Sequence, residues 1–382
     1  MKIALPDETG ALTDYTLTGT PVPEAKLPAN PARVVYSAAH VVADPFTANA
    51  PSGVATVDWA ATMRFRHHLH GMGLGIAEAM DTAQRGMGLD WGGALELIRR
   101  TRAELPDALV ANGCGTDHLD LAKVDGLEDV KRAYLEQLHA IQSLDARVIL
   151  MASRALAKVA TGPDDYVKVY ADILSDCDHP VILHWLGDMF DPQLAGYWGA
   201  DTFEQALETV VQIIEQNAAK VDGIKISLLD KHKEIALRRR LPEGVRMYTG
   251  DDFNYPELIE GDEQGFSHAL LGIFDPLGPA AAHAVDLLGQ GDAQGFRAVL
   301  DPTVPLARLI FRAPTQYYKT GVVFLAWLNG FQDHFVMLNG AQAMRPLPYF
   351  TDVFRHADAC GLLRDPDRAV GRMKRLLAVY GC

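Results

Sequence analysis

The chain has 382 residues, 48% of them hydrophobic and 22% charged, and a formal net charge of −14. That length is enough to bury a large core, as one α/β barrel or as two ordinary domains. The acidic balance excludes an extended nucleic-acid surface, which requires clustered Lys and Arg.

The four cysteines, Cys114, Cys177, Cys360 and Cys382, form no CxxC pair. They are too scattered for a disulfide framework or a cysteine zinc site, so the expected location is a reducing cytoplasm. The N-terminus has no charged stretch followed by an apolar core. Apolar runs such as Gly321–Leu328 are too short to cross a bilayer. No membrane partner and no nucleic-acid partner are expected.

Residues 1–31 contain the turn signal Asp7-Glu8-Thr9-Gly10 between alternating segments, and read as a hairpin or arm. Eight short β-like runs follow: Val34–Ala39, Gly75–Met80, Ala108–Gly113, Arg147–Ala152, Val181–His184, Gly223–Ser227, Val245–Thr249 and Ser267–Gly272. Helical patterns separate most of them, for example Gly93–Arg102, Leu127–Ser143, Asp165–Ser175 and Thr202–Ala219. This βα alternation over 32–278 predicts a (β/α)₈ TIM barrel. Residues 279–382 read as a helical extension, with helices over Ala280–Leu288, Gly295–Leu300, Tyr317–Gly330 and Asp367–Leu377. The glycines of Gly71-Met72-Gly73-Leu74-Gly75 precede a strand instead of following one, so they are not a dinucleotide fingerprint. The cluster Arg66-His67-His68-Leu69-His70 reads as a solvated helix face.

Lys225 is a lone lysine on an apolar strand, where poor solvation favours the neutral amine that attacks a carbonyl. Side chains alternate across a barrel strand. With Lys225 inward, Gly223 and Ser227 share its face, and the same alternation turns His184 inward on the preceding strand. An imidazole there is suited to moving protons near neutral pH. The alternation also predicts Glu78 and Thr82 on one inward face, with Glu78 either a buried partner of Lys225 or an arginine, or acting in acid/base catalysis. His40, Asp117, Asp251 and Asp252 fall just beyond strand ends, where barrel enzymes carry their chemistry.

These segments resemble the dihydrodipicolinate synthase / N-acetylneuraminate lyase superfamily of Schiff-base aldolases. Gly223-Ile224-Lys225 resembles its G-[IV]-K strand, and Pro180-Val181-Ile182-Leu183-His184 its P-x-x-L-Y-N strand. Thr249-Gly250-Asp251-Asp252 is similar to its S-G-D-D turn, and Asn112-Gly113-Cys114-Gly115 to its A-G-T-G loop. Their order matches over about residues 32–340, and the nearest likeness is to a divergent, uncharacterised dihydrodipicolinate synthase-related branch. The resemblance implies an imine on Lys225, no cofactor, and a homo-oligomer, dimer or tetramer.

The chain also departs from the family pattern. His184 stands in place of the proton-shuttling tyrosine. The carboxylate-binding G-T-T-G-E loop reads Asp81-Thr82-Ala83-Gln84-Arg85, and Gly187-Asp188-Met189 replaces the expected arginine. The connection from His184 to Lys225 is about a dozen residues longer than usual and carries Trp185, Tyr197 and Trp198.

The expected function is therefore a class I aldolase, lyase or dehydratase acting on a carbonyl-bearing, sugar-derived acid or ketose. Lys225, His184, Thr82 and Glu78 are its candidate catalytic residues. Arg85, Asp117, Arg154, Trp185, Asp251 and Asp252 are candidates for binding the substrate, with Arg85 or Arg154 as a replacement carboxylate clamp. The aromatic residues of the long connection are candidates for stacking on a sugar or closing as a lid. Two alternatives stand beside this reading. One is a metal-dependent sugar isomerase or epimerase using His40, Glu78, Asp117, His184 and Asp251, and the other is a non-catalytic small-molecule-binding barrel.

Overall fold

The computed structural model describes residues 1–50 and 56–382. By internal contacts the chain separates into two compact units. One comprises Arg33–Ala38 and Gly75–Leu271, and the other Met1–Ala32, Ala39–Leu74 and Gly272–Cys382.

The strands in chain order are β1 (Lys2–Pro6), β2 (Leu12–Thr16), β3 (Val35–Ala38), β4 (Gly75–Glu78), β5 (Val110–Cys114), β6 (Arg147–Leu150), β7 (Val181–Leu186), β8 (Val221–Ser227), β9 (Arg246–Thr249) and β10 (His268–Leu271). Strands β3 to β10 make up the first unit's sheet, a closed barrel of eight parallel strands in the order β10-β3-β4-β5-β6-β7-β8-β9. Helices surround it, so the fold is a TIM barrel, and each predicted strand is present. The helices start where the sequence supplies caps. Asp90 accepts from Gly93 N, Thr202 from Gln205 N and Ser153 from Leu156 N, and Pro163 opens the helix Pro163–Ser175.

The barrel interior is a layer of Tyr36, Ala38, Ala77, Ala111, Ile149, Ile182, Tyr248 and Leu270. It is a packed core. Gly223 is required by this packing, because a Cβ there would meet the Tyr248 ring at 2.6 Å and the Arg246 carbonyl at 2.5 Å. Tyr248 is held by its hydroxyl, which donates to Asp222 Oδ2 at 2.7 Å.

In the second unit, β1 and β2 form the predicted antiparallel hairpin. It is tied to the helix Leu347–Ala359, which the sequence reading did not include. Tyr15 Oη and Thr18 N both donate to Asp358 Oδ2, at 2.8 and 2.9 Å, and Gly19 N donates to Asp358 Oδ1. The helices Gly278–Gly289, Ala293–Leu300, Tyr318–Leu328 and Pro366–Val379 lie at the predicted extension helices, and Val304–Ile310 adds another. Among the described residues no helix is long and apolar enough to cross a membrane.

The helix Trp59–Gly71 corrects one expectation. Arg66 is fully buried rather than solvated, and its guanidinium donates to the carbonyls of Ala39, His40 and Thr62. His67 is exposed, while His68 and His70 are half-buried. His40 is also buried. Its Nδ1 lies 2.8 and 3.0 Å from the two carboxylate oxygens of Asp275, and its ring packs on Phe65 with centroids 4.4 Å apart.

Candidate active site

Strands β7 and β8 pair in parallel with His184 opposite Lys225, so both side chains emerge on the same inward face at one level. Ile182 and Gly223 precede them in the same register and belong to the interior side. Lys225 is 7% exposed, and Nζ makes no hydrogen bond or ion pair among the described residues. Burial pushes its pKa below the usual lysine range, while the carboxylates of Asp252 and Asp81 act in the opposite direction.

His184 is 1% exposed. Its Nε2 is 3.3 Å from Ser227 Oγ, and its Nδ1 has no hydrogen-bond partner among the described residues. Burial, reinforced by the Lys225 charge, holds this imidazole well below its ordinary pKa, so it is neutral at physiological pH. With Nε2–H donating to Ser227, Nδ1 carries a free lone pair.

The turn after β9 completes this corner. A Cβ on Gly250 would meet Ser227 Oγ at 2.3 Å, the Ile226 carbonyl at 2.7 Å and Lys225 Cε at 2.8 Å. No alanine fits there without moving the lysine. Gly250→Ala is therefore expected to lower activity by about tenfold or more by displacing Lys225. Wild-type turnover in a folded variant, judged by circular dichroism, would contradict this.

Asp251 serves the backbone. One of its carboxylate oxygens accepts from Phe253 N and Asn254 N at 2.8 and 3.0 Å, and the other from Asn254 Nδ2. Behind β9, Glu234 is buried and accepts a 2.6 Å bond from Ser267 Oγ. Burial raises its pKa to about 8, with Asp251 adding to the rise and Ser267, Thr249 and Arg238 opposing it. The fold therefore keeps a proton that the unfolded chain releases above its ordinary value of 4.5. Stability falls as pH rises between those two values, by at most about 1.4 kcal/mol per pH unit. Glu234→Gln should match wild type in melting temperature at about pH 5 and exceed it at about pH 9. Equal melting temperatures at both pH values would contradict this.

A cavity of about 210 Å³ opens beside His184 and is lined by Asp81, Arg85, Thr116, Asp117, Arg154 and Asp191 among others. Arg85 is committed to the scaffold: Nε and Nη2 hold the Asp117 carboxylate, Nη2 reaches Gln137 Oε1, and Nη1 donates to the carbonyls of Ala79 and Gly113. Burial alone would raise the Asp117 pKa, but the Arg85 charge and hydrogen bonds keep it below the ordinary carboxylate value. Arg154 is anchored by Nε to Asp191 Oδ2 at 2.5 Å.

Three expectations about side-chain placement are corrected. Glu78 does not face the interior with Lys225. It is fully buried on the outer side of β4, where Oε2 accepts from Thr101 of the helix Trp91–Glu104 at 2.7 Å. Thr82 lies apart from it, buried in the turn Asp81–Ala83 that follows the strand. Trp185, adjacent to His184, faces the helix layer and stacks on Phe203 at 5.6 Å. Tyr197 and Trp198 are likewise buried, packed against Tyr166 and Tyr170, so these rings are part of the connection's interior packing. Among the described residues no group of three His, Cys, Asp or Glu is arranged to hold an ion.

Sequence reasoning did not single out Asp81, Gly250 or Asp191. Asp81 was visible only as part of a degenerate loop, and Asp191 lies in the long connection, which matches no motif.

This arrangement defines a TIM barrel with an inward lysine and histidine on adjacent strands. Its fold is shared with dihydrodipicolinate synthases. The enzyme from Thermotoga maritima is 15% identical, with 87% of this chain and 99% of that one covered and a TM-score of 0.63. The chloride-inhibited enzyme from Acinetobacter baumannii complexed with pyruvate is 16% identical, with coverages of 86% and 99% and a TM-score of 0.64. The enzyme from Aquifex aeolicus is 12% identical, with coverages of 91% and 98% and a TM-score of 0.59. The chain belongs to the family DUF993, described as a protein of unknown function, which it matches over residues 3–382. No curated protein matches it by sequence.

Proposed function

We infer that this protein is a class I, Schiff-base-forming lyase of the aldolase or dehydratase type, acting on a carbonyl-bearing, sugar-derived acid or ketose. One observation carries the reading: a buried Lys225 whose Nζ lacks a hydrogen-bond partner among the described residues, register-paired with a neutral His184. The lowered lysine pKa makes the neutral amine accessible. Its lone pair attacks the substrate carbonyl carbon, the resulting carbinolamine loses water, and the imine nitrogen carries the positive charge.

That imine acts as an electron sink. In carbon–carbon cleavage the bond between the α- and β-carbons breaks, and its electron pair flows into an enamine instead of forming an unstabilised carbanion. For carbon–carbon cleavage, His184 takes the proton of the departing carbon's hydroxyl. For dehydration, His184 first takes the proton of the α-carbon, leaving the enamine, whose electron pair then expels the β-hydroxyl as His184 returns the proton and water departs. A neutral imidazole suits either direction, and it avoids a second cation beside the iminium. Asp252 and Asp81 supply the opposing negative charge.

The test is borohydride reduction in the presence of small 2-ketoacids and ketosugars, with peptide mapping by mass spectrometry. A reduced adduct on the Lys225 peptide supports the reading. No adduct across the panel, or an adduct elsewhere that survives Lys225→Gln, overturns it.

A further inference from the structure

Two arginines line the cavity beside His184, and their hydrogen bonds distinguish them. Arg85 has all its nitrogens engaged within the fold. Arg154 uses only Nε, toward Asp191, and its Nη1 and Nη2 make no hydrogen bond among the described residues. That pair forms the end of the guanidinium fork, the edge that takes two oxygens of a carboxylate or phosphate side by side. Gly86 lies beside this edge, and any side chain there would touch it, a Cβ meeting Nη1 at 3.7 Å and Nη2 at 3.9 Å. The Arg154 side chain is 38% exposed, so this edge is open to an incoming solute, and the same cavity is lined by His184, whose buried Nδ1 has no partner among the described residues.

The long connection after β7 holds this arginine in place. Asp191, half-buried, fixes Nε from one side. From the other side, Tyr197 Oη accepts from Ser153 N at 3.0 Å and is itself bonded to Tyr170 Oη at 3.0 Å. Ser153 Oγ meets Thr116 Oγ1 at 2.6 Å. The backbone that carries Arg154 is thus pinned by the buried aromatic cluster of the same insertion that supplies Asp191.

We propose that Arg154, oriented by Asp191, is the anion clamp of this site, and that the substrate is an anionic carbonyl compound whose carboxylate or phosphate seats on Nη1 and Nη2 with its remainder directed toward His184. Arg154 is the specificity residue and Asp191 a positioning residue. The assignment of this anion to the substrate rests on the Schiff-base reading, whereas the existence of the anion site does not.

The experiment is calorimetric titration of pyruvate, inorganic phosphate and uncharged methyl pyruvate into wild type, Lys225→Gln, Arg154→Gln, Arg154→Lys, Asp191→Asn and Asp191→Glu, with melting temperatures recorded for each. Lys225→Gln removes imine formation and isolates the clamp. At least one of the two anions should bind wild type and Lys225→Gln, and the tighter of them identifies the group. Methyl pyruvate should not bind Lys225→Gln. Arg154→Gln should weaken anion binding by about tenfold to a hundredfold, the usual effect of losing a charge-assisted pair, with Arg154→Lys only partly restoring it. Asp191→Asn should raise Kd at an unchanged melting temperature, and Asp191→Glu should recover it.

Absence of anion binding by both wild type and Lys225→Gln overturns the clamp, as does wild-type affinity in Arg154→Gln. Anion binding that follows Arg154 without any borohydride adduct on Lys225 leaves the clamp standing and removes the Schiff-base reading. An adduct on Lys225 whose yield is indifferent to Arg154→Gln, with no anion binding by Lys225→Gln, does the reverse.

Discussion

Lys225→Met is expected to eliminate the borohydride-trapped adduct and to reduce turnover by about three orders of magnitude or more, the scale of losing a covalent nucleophile. Stability should respond in the opposite sense. The wild-type lysine is buried without a hydrogen bond to Nζ among the described residues, and methionine fills a similar volume without a desolvated cation. Lost attraction to Asp252 and Asp81 offsets part of that gain. Unfolding in urea should therefore give a free energy equal to or above wild type, together with loss of activity. A drop of several kcal/mol would mean that Lys225 is a structural ion-pair partner and would remove the basis for treating it as the nucleophile.

Arg85→Ala is expected to have the opposite profile, with a loss of about 3–5 kcal/mol in unfolding free energy. Removing the guanidinium takes the counter-charge from a mostly buried Asp117 carboxylate and a donor from the Ala79 and Gly113 carbonyls, while Gln137 Oε1 keeps only its bond from Gly115 N. Arg85→Lys should recover little of this, because an ammonium cannot span those partners as the planar fork does. Denaturant titration measures it directly. A stability within about 0.5 kcal/mol of wild type, the range of ordinary surface substitutions, would show that Arg85 is not the scaffold residue described above. Taken with Arg154→Gln, which should lose ligand affinity at an unchanged melting temperature, the pair separates a structural arginine from a binding one.

How far the site could be read from sequence varies strand by strand. On β7 and β8 the alternation was legible because His184 and Lys225 lie within continuous extended runs, and small residues at Gly223 and Ser227 mark the crowded inner face. On β4 the same rule failed. Glu78 and Thr82 were aligned across the end of the strand, but the chain leaves the extended conformation at Ala79, whose φ is +54°, and alternation has no meaning past that point. The outward Glu78 is stabilised by Thr101, 23 residues away on a helix, a partner that strand periodicity cannot reveal. Trp185 follows His184 and so must face the opposite side, into the helix layer. The helix Leu347–Ala359 was missed although Pro348 opens it in a favourable position.

The sequence by itself determined the barrel, its eight strands, and the inward pair of Lys225 and His184, because these depend on local periodicity and on one lysine in an apolar strand. Only the tertiary structure decided which arginine is spent and which is free, that Asp251 caps a turn while Asp252 acts on Lys225, and that the aromatic residues of the long connection are packing. Those outcomes depend on donors and acceptors brought together from distant parts of the chain, and on an Arg154 whose side chain stays partly exposed with only Nε engaged. Residue identity states what a side chain can bond to, but the fold determines which of those bonds are already taken.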